Sequence, residues 1–385
     1  MNDSTAAYRL REQLKRFLGI VFPHSPKQQK EFLGQMLFGI QAGQTVVLSR
    51  IARELDEDIL LKKTEERLSR HLLAEGLDRT VQDAVLAHGA GKVQDDDIVS
   101  IDPSDIQKPY AQEDGMPLLA KVWDGSKGRV GDNLGYNLCF ATATPSMSRR
   151  IVPLHMTMWS VKEAGFTSEN DKVVDVIRRV AQAAERRGIY VYDRGGDGDW
   201  LFDFFIAEGL DFIVRLVGNR LLLHWNGERL AEDLAGTCEM KCRQNVTFKS
   251  HGKEVDVPVE YGSLPVRMPE HPGVELRLVV AKWPRGEKPM MLLTSLNAAR
   301  AFAQAAAAGR GGVSHALAHR GHDTLRQEDL RAGGREAAQL RAPQGDGGHR
   351  LRSCMLRHVV AWAERQALGA CGARQARVEA DVRGT

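Results

Sequence analysis

The chain has 385 residues, of which 27% are charged and 43% apolar, with 53 Lys and Arg against 50 Asp and Glu. This length predicts two or three domains and excludes a single small module. No apolar run approaches the roughly eighteen residues needed to cross a bilayer, which excludes a membrane protein. The net charge of +3 is too small to indicate an anionic partner by itself.

The cysteines argue for a reducing compartment. They are five in number and scattered, and the polar start MNDSTAAYRL lacks the apolar segment of a signal peptide. We therefore expect a cytoplasmic protein without a disulfide framework. Cys238 and Cys242 have the spacing of half a zinc site, but no second Cys or His pair lies near them, so zinc is not expected.

Residues 1–95 predict a small helical domain. Apolar residues recur at three- and four-residue spacing in KQQKEFLGQMLFGIQAG, TVVLSRIARELDED and LLKKTEERLSRHLLAEGL. The short polar stretch Asp56-Glu57-Asp58 joins the last two segments, which permits a helix-turn-helix with Arg and Lys on its outer face. A helical bundle with a solvated charged face explains the same pattern equally well, so both interpretations stay open.

Residues 96–218 predict a mixed α/β layer. Three β-branched or apolar runs, DDIVSIDPSDI, LGYNLCFATATP and RRIVPLHMTMWSV, indicate consecutive strands. A helix (NDKVVDVIRRVAQAAERRG), a strand (GIYVYD), a second helix (WLFDFFIAEG) and a strand (DFIVRLV) follow. The most economical arrangement is one sheet with helices packed on its faces.

Residues 219–296 predict a β-rich insertion, because short apolar runs alternate there with Gly, Pro and Asn. Its Trp225 and Trp283 offer rings on which an unpaired base can stack, although packing inside the insertion is the commoner use of a tryptophan. After Asn297 the composition changes: about half of the residues are Ala, Arg or Gly, and Lys, Ile, Tyr and Asn disappear. For 297–385 we therefore expect a disordered tail.

Two aspartates stand at the ends of apolar strands, where an open sheet presents side chains to a crevice. They are Asp102 in IVSIDPSDI and Asp193 in IYVYDRGGDGDW. Carboxylates in such positions can hold Mg²⁺, and a pair of metals activates water and stabilises the leaving oxygen of a phosphodiester. Taken singly, each aspartate also suits a turn or a helix cap. Their pairing on one predicted sheet favours a functional role.

These two motifs, in this order and followed by a β-rich insertion, resemble the DDE transposases of bacterial insertion sequences, specifically the insertion-sequence-four family. The resemblance covers residues 30–296. It implies an all-α N-terminal DNA-binding domain and an RNase H-like mixed sheet core with a β-rich insertion. It also implies that Asp102 and Asp193 are the first two catalytic, metal-binding acids, with Asp105 as the nearest alternative to Asp102, and that Mg²⁺ or Mn²⁺ is the cofactor.

The resemblance further implies a reaction and its partners. Such enzymes hydrolyse a DNA strand at the element end and then use the freed 3′-hydroxyl to attack target DNA. The partners would be double-stranded DNA of the terminal repeats and the target, with a homodimer assembled on DNA at the nucleoid. Arg215, Arg220 and Lys127 are predicted phosphate contacts, and Lys121 and Arg129 are further candidates, although solvated charge is the alternative for each.

The third acid of this family is absent. It is a Glu within Tyr-x2-Arg-x3-Glu-x6-Lys, on a helix after the insertion, and the chain as written has no such pattern. Glu328, Glu336 and Glu364 lie in a different context. We therefore expect a transposase by descent whose catalysis is lost. Two alternatives are a non-catalytic DNA-binding remnant or repressor, and a general RNase H-like nuclease without preference for element ends.

The codons of residues 313–328 can spell the missing signature in an adjacent reading frame. Joining the last two bases of each codon to the first base of the next permits YLTRWRIEDTIRFVK, whose final position can only be Lys or Arg. The missing Glu then spans the codons of Arg320 and Gly321. We infer an out-of-frame C-terminus from about residue 297, caused by one inserted base or two lost near codons 296–300. A genuine but divergent C-terminus is the alternative.

Overall fold

The computed structural model describes residues 3–108, 118–124, 129–146, 151–225, 227–250, 253–284 and 288–310. Within these ranges the chain forms nine α-helices and one large mixed sheet, so the protein has a mixed α/β fold. A search of the same ranges finds no helix that is long and apolar enough to span a membrane.

Five helices form the N-terminal part: α1 (Asp3–Val21), α2 (Lys27–Gly43), α3 (Leu48–Glu54), α4 (Leu61–Leu72) and α5 (Leu77–Ala90). The first segment predicted from periodicity is α2, and α3 and α4 lie inside the second and third. Their apolar faces share one core, which includes Phe32, Met36, Ile51 and Leu68. This shared burial stabilises helices that are too short to persist in isolation.

The link between α3 and α4 is fixed by Glu57. Its carboxylate accepts hydrogen bonds from the Thr64 hydroxyl at 2.8 Å and from the Arg67 guanidinium at 2.7 Å. Lys62 and Arg70 are exposed on the outer side of α4. Two short helices with a basic outer face agree with a helix-turn-helix and equally with a helical bundle that has a solvated charged face.

The central part follows the predicted order and adds one strand, β2. Its elements are β1 (Ile98–Gln107), β2 (Ala120–Asp124), β3 (Arg129–Thr144), β4 (Val152–Trp159), α6 (Glu169–Ala183), β5 (Ile189–Tyr192), α7 (Asp199–Glu208) and β6 (Asp211–Arg215). The run AKVWD of β2 is too short to reveal a strand period in the sequence.

Strand β1 lies between strands of opposite sense. It pairs antiparallel with β3 and parallel with β5, β4 joins the far side of β3, and β6 runs parallel to β5. Helices α6 and α7 cover one face, where Tyr190, Phe202 and Phe212 belong to the main hydrophobic core. Helix α6 begins at Ser168, whose hydroxyl accepts the backbone N–H of Asp171 at 3.0 Å.

Residues 219–296 are β-rich, as predicted, but they extend the central sheet. The elements are β7 (Leu221–His224), β8 (Gly227–Leu230), α8 (Ala231–Thr237), β9 (Cys242–Ser250), β10 (Lys253–Met268), β11 (His271–Lys282) and β12 (Met290–Thr294). Strand β12 pairs antiparallel with β6, and β11 and β10 follow it. Every residue of β12 is buried, as in a strand covered on both faces.

The chain continues past residue 296 as α9 (Ala298–Arg310), where composition predicts the start of a disordered tail. Asn297 accepts the backbone N–H of Arg300 at 2.9 Å, and the Phe302 ring stacks on Tyr261 with centroids 4.0 Å apart. High alanine content favours a helix even where apolar periodicity is weak. The expectation of disorder is therefore wrong for 298–310, and residues 311–385 lie outside the described ranges.

Helix α5 packs closely on β4 and joins the helical part to the sheet. A Cβ added at Gly89 would overlap the carbonyl oxygen of Pro153 and lie 3.0 Å from Leu154 Cδ2. The ion pair between Asp83 of α5 and Arg179 of α6 reinforces the same junction. A glycine at position 89 therefore sets how closely the helix approaches the strand.

Gly89→Ala is expected to lower the unfolding free energy by about 1–3 kcal/mol, because the added methyl overpacks a backbone contact. Urea unfolding measures this difference. Gly91→Ala is the matched control: a Cβ there meets only Ala87 O at 3.5 Å, and Gly91 has φ −61°, so stability should hold or rise slightly. Equal stabilities of the two variants would contradict the close approach of α5 to β4.

Candidate functional site

The two predicted acids follow neighbouring parallel strands of the sheet. The parallel pairing of β1 with β5 runs to Ser100 and Val191, and Asp102 and Asp193 each come two residues after that last pair. Neighbouring strands lie about 4.8 Å apart. Both aspartates are partly exposed, at the carboxyl ends of parallel strands where open sheets present their crevice.

The buried Tyr192 gives independent evidence that the acids are close together. Its pKa is raised mainly by burial, and further by Cys139, Asp193, Asp102 and Glu169. The pKa of the Cys139 thiol is also raised, first by burial and then by the Asp102 carboxylate. Both aspartates therefore act on the same phenol. Because the pKa values of Tyr192 and Cys139 are raised, these two neighbouring side chains are neutral. Glu169, at the start of α6, also raises the pKa of Tyr192. The sequence pattern did not predict that Glu169 lies near the two aspartates.

Arg215, the last residue of β6, lies close to Asp193. The parallel pairing of β5 with β6 runs to Tyr192 and Val214, and Asp193 and Arg215 are the next residues along the chain. Burial lowers the pKa of the Arg215 guanidinium, the nearby Arg194 lowers it further, and Asp193 opposes both. This predicted phosphate contact thus stands beside a predicted metal ligand, where it can pair with a phosphate held at the acids.

Asp193 also shapes its own loop. Its Oδ1 accepts the backbone N–H of Gly195 at 2.9 Å, which caps a short 3-10 turn over Arg194–Gly196. A Cβ added at the buried Gly196 would lie 2.6 Å from Tyr192 Cδ1, so only glycine fits without displacing the ring. Asp193 therefore caps a turn, as the sequence allowed, and this role is compatible with a place at the site.

Arg220 has an internal role, which corrects its prediction as a DNA contact. Its Nε donates to Asp197 Oδ1 at 2.5 Å and its Nη1 donates to Asp199 Oδ1 at 2.6 Å. Its guanidinium lies over the Phe202 ring, 4.6 Å from the centroid. Burial alone would lower the pKa of Arg220, but the hydrogen bonds to Asp199 and Asp197 outweigh it and raise the pKa, because the two carboxylates stabilise the cation.

The other predicted phosphate contacts are Lys127, Arg129 and Lys121. Lys127 lies outside the described residues, and Arg129 begins β3 at the margin of the described chain. Lys121 is exposed on β2. Asp105, the alternative to Asp102, pairs with Asn137 of β3 and lies beyond the part of β1 that adjoins β5. Along β1, Asp102 is therefore nearer than Asp105 to the stretch that pairs with β5.

The acids at this edge suit a hard divalent cation. Mg²⁺ is usually held by one or two carboxylates, with water and substrate phosphates completing its shell. Within the described ranges no group of three His, Cys, Asp or Glu side chains is arranged to hold a metal, so the pair has no third acid there. Glu328, Glu336 and Glu364 lie outside those ranges. Cys238 and Cys242 are free thiols.

The two tryptophans of the β-rich part differ in exposure. Trp225 is 82% exposed where β7 ends, edge-on to the His224 ring at a centroid distance of 5.7 Å. Trp283 is partly buried and packs against a core cluster between the sheet and α9. Trp283 therefore contributes to packing, whereas Trp225 presents its ring to solvent.

Comparisons with known proteins do not assign this chain to a family. No protein-family model matches the chain, and no curated protein sequence matches it significantly. Among solved structures it is similar to a piggyBac transposase in a cryo-EM synaptic complex with hairpin DNA, with a TM-score of 0.40 and 11% identity. The match covers 91% of this chain and 71% of that one. A similarity of this size does not assign a function.

Proposed function

We propose that this chain is a DDE-type transposase of an insertion sequence, of the insertion-sequence-four kind, that binds element ends but is impaired in catalysis. The observation that carries this proposal is that Asp102 and Asp193 each stand two residues past the last pair of the parallel β1–β5 ladder and both act on the buried Tyr192. Arg215 beside them supports a polyanionic substrate such as DNA.

The strand order supports an RNase H-like core. Strands β4, β3 and β1 are joined antiparallel, and β5 and β6 follow β1 in parallel. Such a sheet places the ends of β1, β5 and β6 together at one edge. The proposal is that the acids of the first two of these strands form the catalytic centre, with Arg215 of the third contacting phosphate.

Asp102 and Asp193 would hold Mg²⁺ or Mn²⁺. A bound ion would supply activation of water and stabilisation of the leaving oxygen in phosphodiester cleavage. The chain's own groups would orient the substrate, because Arg215 and Arg194 would bind phosphate oxygens. The buried phenol of Tyr192 would stay neutral and add no charge beneath the acids. With the third acid missing, positioning of the attacking and leaving oxygens would be incomplete.

DNA binding does not depend on that third acid. We propose that the helical part, with the exposed basic side of α4, contacts the terminal repeats and that the protein acts as a homodimer on DNA in the bacterial cytoplasm. A remnant that binds ends without any chemistry, acting as a repressor, is the second candidate. The absence of the family's Glu signature from the written chain favours it.

Divalent-dependent nicking of a duplex that contains an element end separates these candidates. Residual nicking with Mn²⁺ that disappears in both Asp102→Asn and Asp193→Asn would support the catalytic proposal. Specific binding without nicking would leave the repressor. Nicking that is equal on duplexes with and without an element end would instead indicate a general nuclease.

Trp225→Ala is expected to weaken binding of DNA with an unpaired end by about 1–3 kcal/mol, the range for stacking of one base on an aromatic ring. Binding of the same duplex with blunt ends should change little. Fluorescence anisotropy with a four-nucleotide overhang measures both. Because the ring is 82% exposed, protein stability should hold.

Leu221→Ala is the matched control, since Leu221 is 48% exposed on β7 and lacks a ring. It should leave the affinity for both duplexes unchanged. Equal losses of affinity in the two variants would show that the surface of the β7–β8 hairpin contributes to DNA binding without base stacking.

A further inference from the structure

Arg220 stands at the centre of an ionic network with Asp197 and Asp199, in the loop that follows Asp193. Its side chain is 11% exposed and that of its partner Asp197 is 4% exposed, whereas its second partner Asp199 is 60% exposed. A buried carboxylate needs a partner for each oxygen. Asp197 has both, because its Oδ1 accepts Arg220 Nε and its Oδ2 accepts the backbone N–H of Val217 at 2.7 Å.

This network ties together the two loops that leave the functional edge of the sheet. Asp197 lies four residues after Asp193, in the loop that follows β5. Val217 lies two residues after Arg215, in the loop that follows β6, and the same segment ends at Arg220. A displacement of either loop would break both bonds to Asp197. The relative position of Asp193 and Arg215 therefore depends on contacts outside the strands themselves.

The network also distinguishes the three aspartates of the motif DRGGDGD. Arg220 binds Asp197 and Asp199, and it does not bind Asp193. Asp197 is too deeply buried to reach DNA or a solvated cation. The single positive charge of Arg220 offsets one of the two negative charges of Asp197 and Asp199, which reduces their repulsion of Asp193. The acid that Arg220 leaves unbound is Asp193, which directly follows β5.

We propose that Arg220 is a positioning residue that holds the loop of Asp193 so that its carboxylate faces Asp102. This inference rests on the proposed function, because the two aspartates are taken as metal ligands. Arginine is required by its shape: its planar fork donates to two carboxylates at once while its face lies on Phe202. A lysine ammonium keeps the charge but cannot satisfy these three contacts together.

The test compares Arg220→Lys with Asp199→Asn in the full chain, with Mn²⁺ as the probe. Electron paramagnetic resonance of free Mn²⁺ gives the affinity, and hydrogen exchange of the Gly195 and Val217 amides reports on the loops. Arg220→Lys should weaken Mn²⁺ binding at least about tenfold, the usual effect of removing support from a metal ligand. It should also accelerate exchange at both amides while leaving the core amide of Val214 protected.

Asp199→Asn removes only the exposed half of the network and should change Mn²⁺ affinity less than about threefold. Asp197→Asn gives a second variant if Arg220→Lys is poorly folded, since its amide oxygen can still accept Val217 N–H while the charge pair is lost. It should weaken Mn²⁺ binding more than Asp199→Asn does. Parental Mn²⁺ affinity in either Arg220→Lys or Asp197→Asn would overturn the positioning role.

Asp193→Asn separates failure of this inference from failure of the proposed function. If it leaves Mn²⁺ binding intact, the proposed metal site is wrong, and the exchange data alone decide the role of Arg220. Faster exchange at Gly195 and Val217 in Arg220→Lys then still supports a residue that holds the loop. Unchanged exchange at both amides overturns it.

Discussion

Restoring the displaced reading frame is expected to raise Mg²⁺-dependent nicking of an end-containing duplex by at least about a hundredfold, since even residues that merely support metal ligands contribute about 10–100-fold. The repair is a one-base correction near codon 297. It would supply the Glu encoded across the codons of Arg320 and Gly321, together with the Tyr, Arg and Lys of the family signature. Asp102 and Asp193 would then have the third carboxylate that the described chain lacks.

The nucleotide sequence of the codons from Met290 to Thr385 is the first measurement. The displaced signature requires CTG or TTG for Leu317 and CGA or AGA for Arg320. Any other codon at either position contradicts the displaced frame. The C-terminus would then be genuine, and the third ligand would have to be sought among its own acids.

The repaired chain provides its own controls. Replacement of the recovered Glu by Gln and the variant Asp193→Asn should each return nicking to the level of the uncorrected chain. An active repaired chain that tolerates Asp193→Asn would contradict the assignment of Asp193 as a catalytic acid. A repaired chain that binds ends but does not nick them would favour the repressor.

The position of the two acids was predictable because local pattern and sheet geometry agree. IVSID and IYVYD are apolar runs that end in an acid, and parallel pairing of β1 with β5 makes those ends neighbours. The sequence does not contain the pairing of Arg220 with Asp197, because a contact between two loops depends on how β5 and β6 align. A lone arginine after a strand has the same sequence pattern whether it faces DNA or an internal carboxylate.

The limits of composition are clearest at the two ends of the β-rich part. Periodicity indicates strands in 219–296, but it does not specify that β12 pairs with β6 and thereby extends the central sheet. The Ala-rich start of the tail lacks the pattern of an amphipathic helix, yet Ala301, Phe302 and Ala305 are buried in α9. Small side chains bury little apolar area each, so their packing shows only once the neighbouring surface is known.

The second large effect concerns acid and the junction between the helical part and the sheet. His155 of β4 is 4% exposed, and its Nε2 is 3.0 Å from the Thr157 hydroxyl. Its pKa is lowered from 6.5 to about 4, mainly by burial and further by Arg179, while Asp83 opposes the shift. Arg179 and Asp83 are the ion pair that joins α6 to α5. A proton on His155 would therefore place a second cation beside Arg179.

The sign of the effect follows from proton binding in the two states. Below pH 6.5 the unfolded chain protonates His155, whereas the folded chain does so only near pH 4. The unfolded state binds more protons within this window, so stability falls as pH falls through it. A pKa lowered from 6.5 to about 4 corresponds to roughly 3 kcal/mol of stability that is present at pH 7 and lost by pH 4.

Urea unfolding of the parent and of His155→Gln at pH 7 and pH 4.5 measures this contribution. Glutamine keeps a polar atom for Thr157 but does not titrate, so the loss of stability between the two pH values should shrink by roughly 2–3 kcal/mol. His24→Gln is the control, because His24 is exposed and should leave the parental loss intact. If His155→Gln loses as much stability in acid as the parent does, then His155 is not held neutral beneath the α5–α6 ion pair, and the acid sensitivity must come from carboxylates elsewhere.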